Sequence, residues 1–124
     1  MNAINLVLPF MPITVNKAYA GFIKRHKSNE YKDFEYKIEK YFLELWTKYE
    51  IIWNNWLSVK YDFHFPIYNK NWSIKKKDLW NYEKCLTDIL SHHIPWFLDE
   101  KIKHISMSKW DNEKEYMEIE IKEL

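Results

Sequence analysis

A chain of 124 residues with a formal net charge of +1 fits one compact domain and leaves no room for a second core of useful size. Aromatic residues make up 19%, Trp 7 and Tyr 9 among them, so its buried or contacting surfaces are built largely from rings. A single glycine, Gly21, excludes the glycine-dependent phosphate loops of nucleotide-binding proteins, and the lone Cys85 excludes an internal disulfide. No charged-then-apolar leader precedes the first strand-like run, so a cytoplasmic location is expected. No apolar run approaches the roughly 18 residues needed to span a bilayer, so no membrane association is expected either. With so small a net charge, attraction to nucleic acid has to come from local clusters of cations. Two such clusters are present, Lys24, Arg25, His26 and Lys27, and Lys70, Lys75, Lys76 and Lys77.

In chain order, Ile4 to Leu8 is an apolar run halted by Pro9 and Pro12 and predicts a short first strand. Asn29 is placed to cap a helix from Glu30, in which Tyr31, Phe34, Ile38, Tyr41, Phe42, Leu45 and Tyr49 recur at three- and four-residue steps. Its polar complement, Lys32, Glu35, Lys37, Glu39, Lys40 and Glu44, reads as a solvated face. From Leu57 to Ile67 the chain alternates strictly, which predicts a half-buried strand ending near Pro66, followed by a basic loop from Asn69 to Lys77. Asp78 then caps a second helix striped by Leu79, Tyr82, Leu86, Ile89 and Leu90, and Pro95 forbids its continuing much past Ser91. Ile102 to Trp110 and Tyr116 to Lys122 flank a polar turn at Asp111 and Asn112 and predict a terminal hairpin. The order β-α-β-α-β-β predicts a single α+β domain, a mixed sheet of about four strands packed against two helices.

Chemistry concentrates between Lys75 and Ile102. At about 100° per residue, Asn81, Lys84 and Asp88 share one narrow face of the second helix, away from its apolar stripe. Two readings fit this spacing. If the strand that begins near Asp99 lies beside the start of the helix, Asp78 and Asp99 can hold a magnesium ion, with Lys84 facing phosphate oxygens. Alternatively, Asp78 is a helix cap, Lys84 is solvated and Asp99 opens a turn.

The segment Lys76-Lys77-Asp78-Leu79-Trp80-Asn81, with Lys84, Asp88-Ile89-Leu90 and Leu98-Asp99-Glu100, resembles the signature of the RusA endodeoxyribonuclease family. That signature runs from basic residues to Asp-Leu-Asp-Asn, a lysine three residues later, Asp-Ala-Leu, and an Asp pair leading into a strand. The opening of the chain, Leu8-Pro9 with Pro12-Ile13-Thr14-Val15-Asn16-Lys17-Ala18-Tyr19, is similar to the family's Pro-x-Ser-x-Asn-x-x-Tyr. The resemblance spans nearly the whole chain.

It implies a magnesium-dependent endonuclease, with manganese as a possible substitute, that resolves four-way (Holliday) junctions in recombination and repair. The setting it suggests is phage or prophage DNA, and the acting species a homodimer on branched double-stranded DNA. Position by position, Asp78 and Asp99 match metal-binding carboxylates, Lys84 matches the lysine beside the scissile phosphate, and Asn81 and Asp88 match supporting positions. Trp80 stands where the family places a second catalytic aspartate, and an indole cannot ligate magnesium. Glu100 is the preferred substitute ligand, although neighbours on a regular strand point to opposite faces, so a turn or bulge at that point is required. Lys17, Lys24, Arg25, Lys27, Lys70, Lys75, Lys76 and Lys77 are the expected phosphate contacts.

The alternative is a catalytically impaired RusA-like junction-binding protein, disabled by Trp80. A remoter one is a small interaction module that uses its aromatic surface to bind protein. Cys85, His92, His93 and His104 match no zinc-site spacing, and Cys85 reads as a small half-buried residue. Trp72, Trp80, Trp96 and Trp110 read as core or interface residues in preference to base-stacking ones.

Overall fold

The computed structural model describes residues 3–13, 19–20, 26–45, 56–75, 79–94 and 97–124. Its elements are β1 (Ala3–Leu8), β2 (Tyr19–Ala20), β3 (His26–Lys27), α1 (Asn29–Leu45), β4 (Leu57–Phe65), α2 (Leu79–His93), a 3₁₀ helix (Asp99–Lys101), β5 (Ile102–Asp111) and β6 (Tyr116–Glu123). Four strands form one mixed sheet and two form a small ribbon. The two helices and the four main strands follow the expected order, and the class is α+β. The chain divides into two compact units. One comprises Met1–Met11, Ile51–Leu79 and Glu100–Leu124; the other comprises Pro12–Glu50 and Trp80–Asp99.

The first unit holds the main sheet, in the order β1-β6-β4-β5. Alternation in the sequence becomes alternation of burial: Leu57, Val59, Tyr61, Phe63 and Phe65 are buried on β4, as are Ile4, Leu6 and Leu8 on β1 and Met117, Ile119 and Ile121 on β6. Register aligns them into rows across three strands, Ile4 with Ile121 and Val59, Leu6 with Ile119 and Tyr61, and Leu8 with Met117 and Phe63. A one-residue slip would expose every one of these side chains, so burial itself fixes the register. On the opposite face polar groups pair with one another. The His64 ring stacks on Tyr116 at 4.0 Å, its Nε2 lies 2.6 Å from Glu118 Oε1, and Trp110 Nε1 donates to Asp62 Oδ1 at 3.1 Å.

The expected terminal hairpin is not formed. β5 runs parallel to β4, while β6 lies antiparallel on the other side of β4 and also pairs with β1. β4 thus separates two strands that are consecutive in sequence. The polar turn between them crosses the end of β4, where the Asn112 amide donates to the Phe65 carbonyl at 3.1 Å. A parallel β4-β5 pair needs a long crossover, and the residues between Phe65 and Ile102 supply it. Local alternation predicts the strands; it carries no information about which neighbour each selects.

The second unit contains α1, α2 and the β2-β3 ribbon, which the sequence did not predict. Tyr31, Phe34 and Ile38 are buried on α1, as their spacing predicts, whereas Tyr41 is exposed. Tyr49 lies outside the described residues. The N-cap is Ser28, one residue earlier than expected: its hydroxyl accepts the Tyr31 amide at 3.1 Å and its carbonyl accepts the Lys32 amide at 3.1 Å. α2 buries Tyr82, Cys85, Leu86, Thr87, Ile89 and Leu90 and runs to His93 before the chain reaches Pro95. Among the described residues no helix is long and apolar enough to cross a membrane.

Candidate active site

α2 positions the candidate groups by its periodicity. Its apolar stripe is buried, which leaves Asn81 half-buried and Lys84 and Asp88 exposed on the other side. Although the residue is exposed, partial desolvation raises the Asp88 carboxyl above its ordinary value; the Lys84 ammonium opposes that rise and the Asp99 charge adds to it. Lys84, Asp88 and Asp99 therefore share one electrostatic neighbourhood within the second unit. Lys84 and Asp88 face the same side of α2 because they are one helical turn apart. Asp99 stands at the start of the 3₁₀ helix, two residues after Phe97, whose amide donates to the Ile94 carbonyl at 3.0 Å.

Asp99 and Glu100 stand in a 3₁₀ helix and not on a regular strand. At three residues per turn, successive side chains differ by about 120° in direction, in contrast to the opposed faces of a strand. Asp99 and Glu100 are both exposed. Asp78 lies outside the described residues, so its approach to Asp99 is not described. Trp80, at the position of the missing aspartate, is 65% exposed on the first turn of α2.

Asp99 carries hard oxygen donors of the kind magnesium takes, and its charge adds to the rise at Asp88. Cys85 offers no competing chemistry. Its thiol is 3% exposed, and burial, with the Asp88 charge adding to it, pushes the pKa up to about 11, so the nucleophilic thiolate is scarce at neutral pH.

One cluster escaped the sequence reading. Glu35 and Glu39 belong to the face of α1 expected to be solvated, yet they meet His93 of α2, with Nε2 at 3.5 Å from Glu35 Oε2 and Nδ1 at 3.4 Å from Glu39 Oε1. Glu35 also pairs with Lys27 at 3.3 Å. The three side chains can bring donors within 4.8 Å of one another. However, the two ring nitrogens address different carboxylates and Lys27 already occupies Glu35, which is the arrangement of a polar clasp between the two helices. The i,i+4 glutamates were visible in the sequence; their distant histidine partner was not.

Of the expected DNA contacts, Lys17, Lys24, Arg25, Lys76 and Lys77 lie outside the described residues. Lys27 is engaged with Glu35 and sits 5.0 Å over the Tyr31 ring. Lys70 and Lys75 belong to a tight loop in which Tyr68 pairs antiparallel with Ile74. Within that loop the Asn69 amide donates to the Ser73 carbonyl at 2.7 Å and the Trp72 amide to the Asn69 carbonyl at 2.9 Å. The sequence marked this stretch only as a basic loop.

No curated protein matches the chain. The family model for endodeoxyribonuclease RusA, by contrast, matches residues 9–122, a span that includes β1's proline boundary, both helices, the lysine and acidic positions of α2 and the Asp99 turn. Nearly the whole chain is accounted for in this way, and the protein belongs to the RusA endodeoxyribonuclease family of divalent-metal-dependent nucleases that act on Holliday junctions.

Proposed function

We propose that the protein is a magnesium-dependent endonuclease that resolves four-way DNA junctions by phosphodiester hydrolysis, with manganese able to replace magnesium. The observation that carries this reading is the family match over residues 9–122; the motif resemblance gives Lys84, Asp88 and Asp99 as lysine, supporting aspartate and metal-binding aspartate, and the charges of Lys84 and Asp99 both act on Asp88. Asp78 and Asp99 are the metal carboxylates in this scheme, with Glu100 supplying the ligand that Trp80 removes. A divalent cation held by these carboxylates would supply Lewis-acid polarisation of the scissile phosphate and a more acidic attacking water. Lys84 offsets the negative charge that accumulates on the phosphate oxygens as the bond to the attacking oxygen forms. Asp88 and Asn81, on the same face of α2, keep that ammonium aligned. Hydrolysis leaves a free hydroxyl and a terminal phosphate, with no protein adduct.

Lys17, Lys24, Arg25, Lys27, Lys70, Lys75, Lys76 and Lys77 are the groups proposed to position the DNA backbone. A homodimer would present two such sites to the paired strands of a junction. The second reading, a junction-binding protein without chemistry, is favoured by one observation: an exposed indole at position 80 replaces a carboxylate.

Incubation of the full chain with a synthetic four-way junction, magnesium and manganese in parallel, separates the two. The nuclease reading expects metal-dependent nicking that Asp99→Asn reduces by at least about a hundredfold without loss of fold. Binding without cleavage in either metal, together with a gain of cleavage in Trp80→Asp, would establish the second reading.

A further inference from the structure

The loop between β4 and α2 carries a side chain that the scheme above does not use. Trp72 has a backbone φ of 66° and is 80% exposed. The hydrogen bonds between Asn69, Trp72 and Ser73 define a three-residue hairpin loop whose last residue is left-handed, a position that ordinarily takes glycine or asparagine because a Cβ is disfavoured there. A bulky ring at that position is a backbone outlier. The surroundings hold it there. Asn71 Oδ1 accepts from the Ser73 amide at 3.1 Å and from the Ser73 hydroxyl at 2.6 Å, Asn69 Nδ2 donates to Ser73 Oγ at 3.0 Å, and the Lys75 amide donates to the Ile67 carbonyl at 2.7 Å. The indole gains little burial in return: the Tyr68 ring is its partner at 6.2 Å, and Tyr68 and Ile74 are themselves exposed.

A strained, over-determined backbone that projects an aromatic ring into solvent points to a ligand for that ring. Its neighbours specify the ligand's charge. Lys70 lies in the turn and Lys75 at its base, with Lys76 and Lys77 following in sequence, so the ring is bracketed by cations. Cations that track a phosphate chain beside a ring that stacks on bases are the combination by which proteins hold unpaired nucleotides, and inserted apolar side chains unstack duplex steps in the same way.

We propose that Trp72 stacks on a base at the branch point of junction DNA, with Lys70 and Lys75 holding the adjacent phosphates, so that this loop distinguishes branched from linear DNA. This rests on the junction-directed function proposed above and adds to it the residue that senses the branch. Trp72 is a recognition residue here; cleavage chemistry stays with the acidic site.

The test uses the full chain without divalent metal, a four-way junction with 2-aminopurine next to the branch-point base, and a linear duplex carrying the same reporter. Wild-type protein is expected to raise the fluorescence of the junction, as the reporter loses the neighbouring base that Trp72 draws away from it, and not that of the duplex. Trp72→Gly, which relieves the left-handed backbone, is expected to fold with an unchanged or higher melting temperature, to abolish the fluorescence rise, and to lower the junction-over-duplex preference roughly tenfold. Trp72→Phe keeps a ring and should retain most of both signals. A full rise and full preference in Trp72→Gly overturn the inference while leaving the nuclease reading intact. Failure of the wild-type chain to bind the junction at all removes both.

Discussion

α2 and the loop from Ile67 to Lys75 concentrate strain in opposite ways. On α2 the backbone is relaxed and regular, and the tension is electrostatic: Asp88 is driven up by burial and by Asp99 against the opposing pull of Lys84. In the loop the charges are simple and solvated, and the tension lies in the backbone at Trp72. β4 and β6, by contrast, have inward rows that are apolar except for Glu123 at the end of β6, and outward groups such as His64 with Glu118 and Asp62 with Trp110 are paired. α2 and the loop are the regions to which function is proposed above, clustered charge for holding a cation and an exposed ring for meeting a base.

The contrast can be broken at four places. Leu86 is fully buried on α2, and Leu86→Ala should cost about 2–5 kcal/mol, read by urea denaturation. A loss well below that would mean that the buried face of α2 does not anchor its acidic face. Next comes Cys85: with its pKa raised from 9.0 to about 11, native protein at neutral pH should react with iodoacetamide about a hundredfold more slowly than the unfolded chain. Fast labelling would show that α2 opens readily enough to expose the thiol. In the loop, Asn71→Ala removes both side-chain bonds to Ser73 and should lower stability by about 1 kcal/mol, with disorder confined to the loop by amide exchange.

The smallest effect concerns Asp88, and its sign is informative. A carboxyl whose folded-state pKa is raised binds its proton more tightly in the native state than in the unfolded one. Its contribution is therefore destabilising once pH is above the folded pKa, and vanishes as pH falls below the ordinary carboxylate value of 3.8. Asp88→Asn should raise the melting temperature slightly at pH 7 and leave it unchanged near pH 3. Added magnesium should narrow the difference at pH 7, because a cation held by Asp99 relieves the same repulsion.

Much of this molecule is legible from local patterning. The rows of β1, β4 and β6, the apolar stripes of α1 and α2, and the shared face of Asn81, Lys84 and Asp88 follow from periodicities of two and 3.6, which depend only on backbone geometry. The motif order from the Pro9 boundary to Asp99 likewise identifies the family without reference to any contact. Other features depend on partners far away along the chain. The choice of β5 to run parallel beside β4, the meeting of His93 with Glu35 and Glu39, and the influence of Asp99 on Asp88 could not be read from spacing.

What the sequence determined, then, is which face of each element is apolar and which residue types stand in the motifs, because both are properties of a few neighbouring residues. Tertiary structure alone decided strand order and the contribution of Asp99 to the raised pKa of Asp88, because both are set by groups brought together across the fold, whose energies exceed local preference. The left-handed backbone that displays Trp72 is held by the hydrogen bonds of its own loop, a closure that no periodicity in the sequence announces.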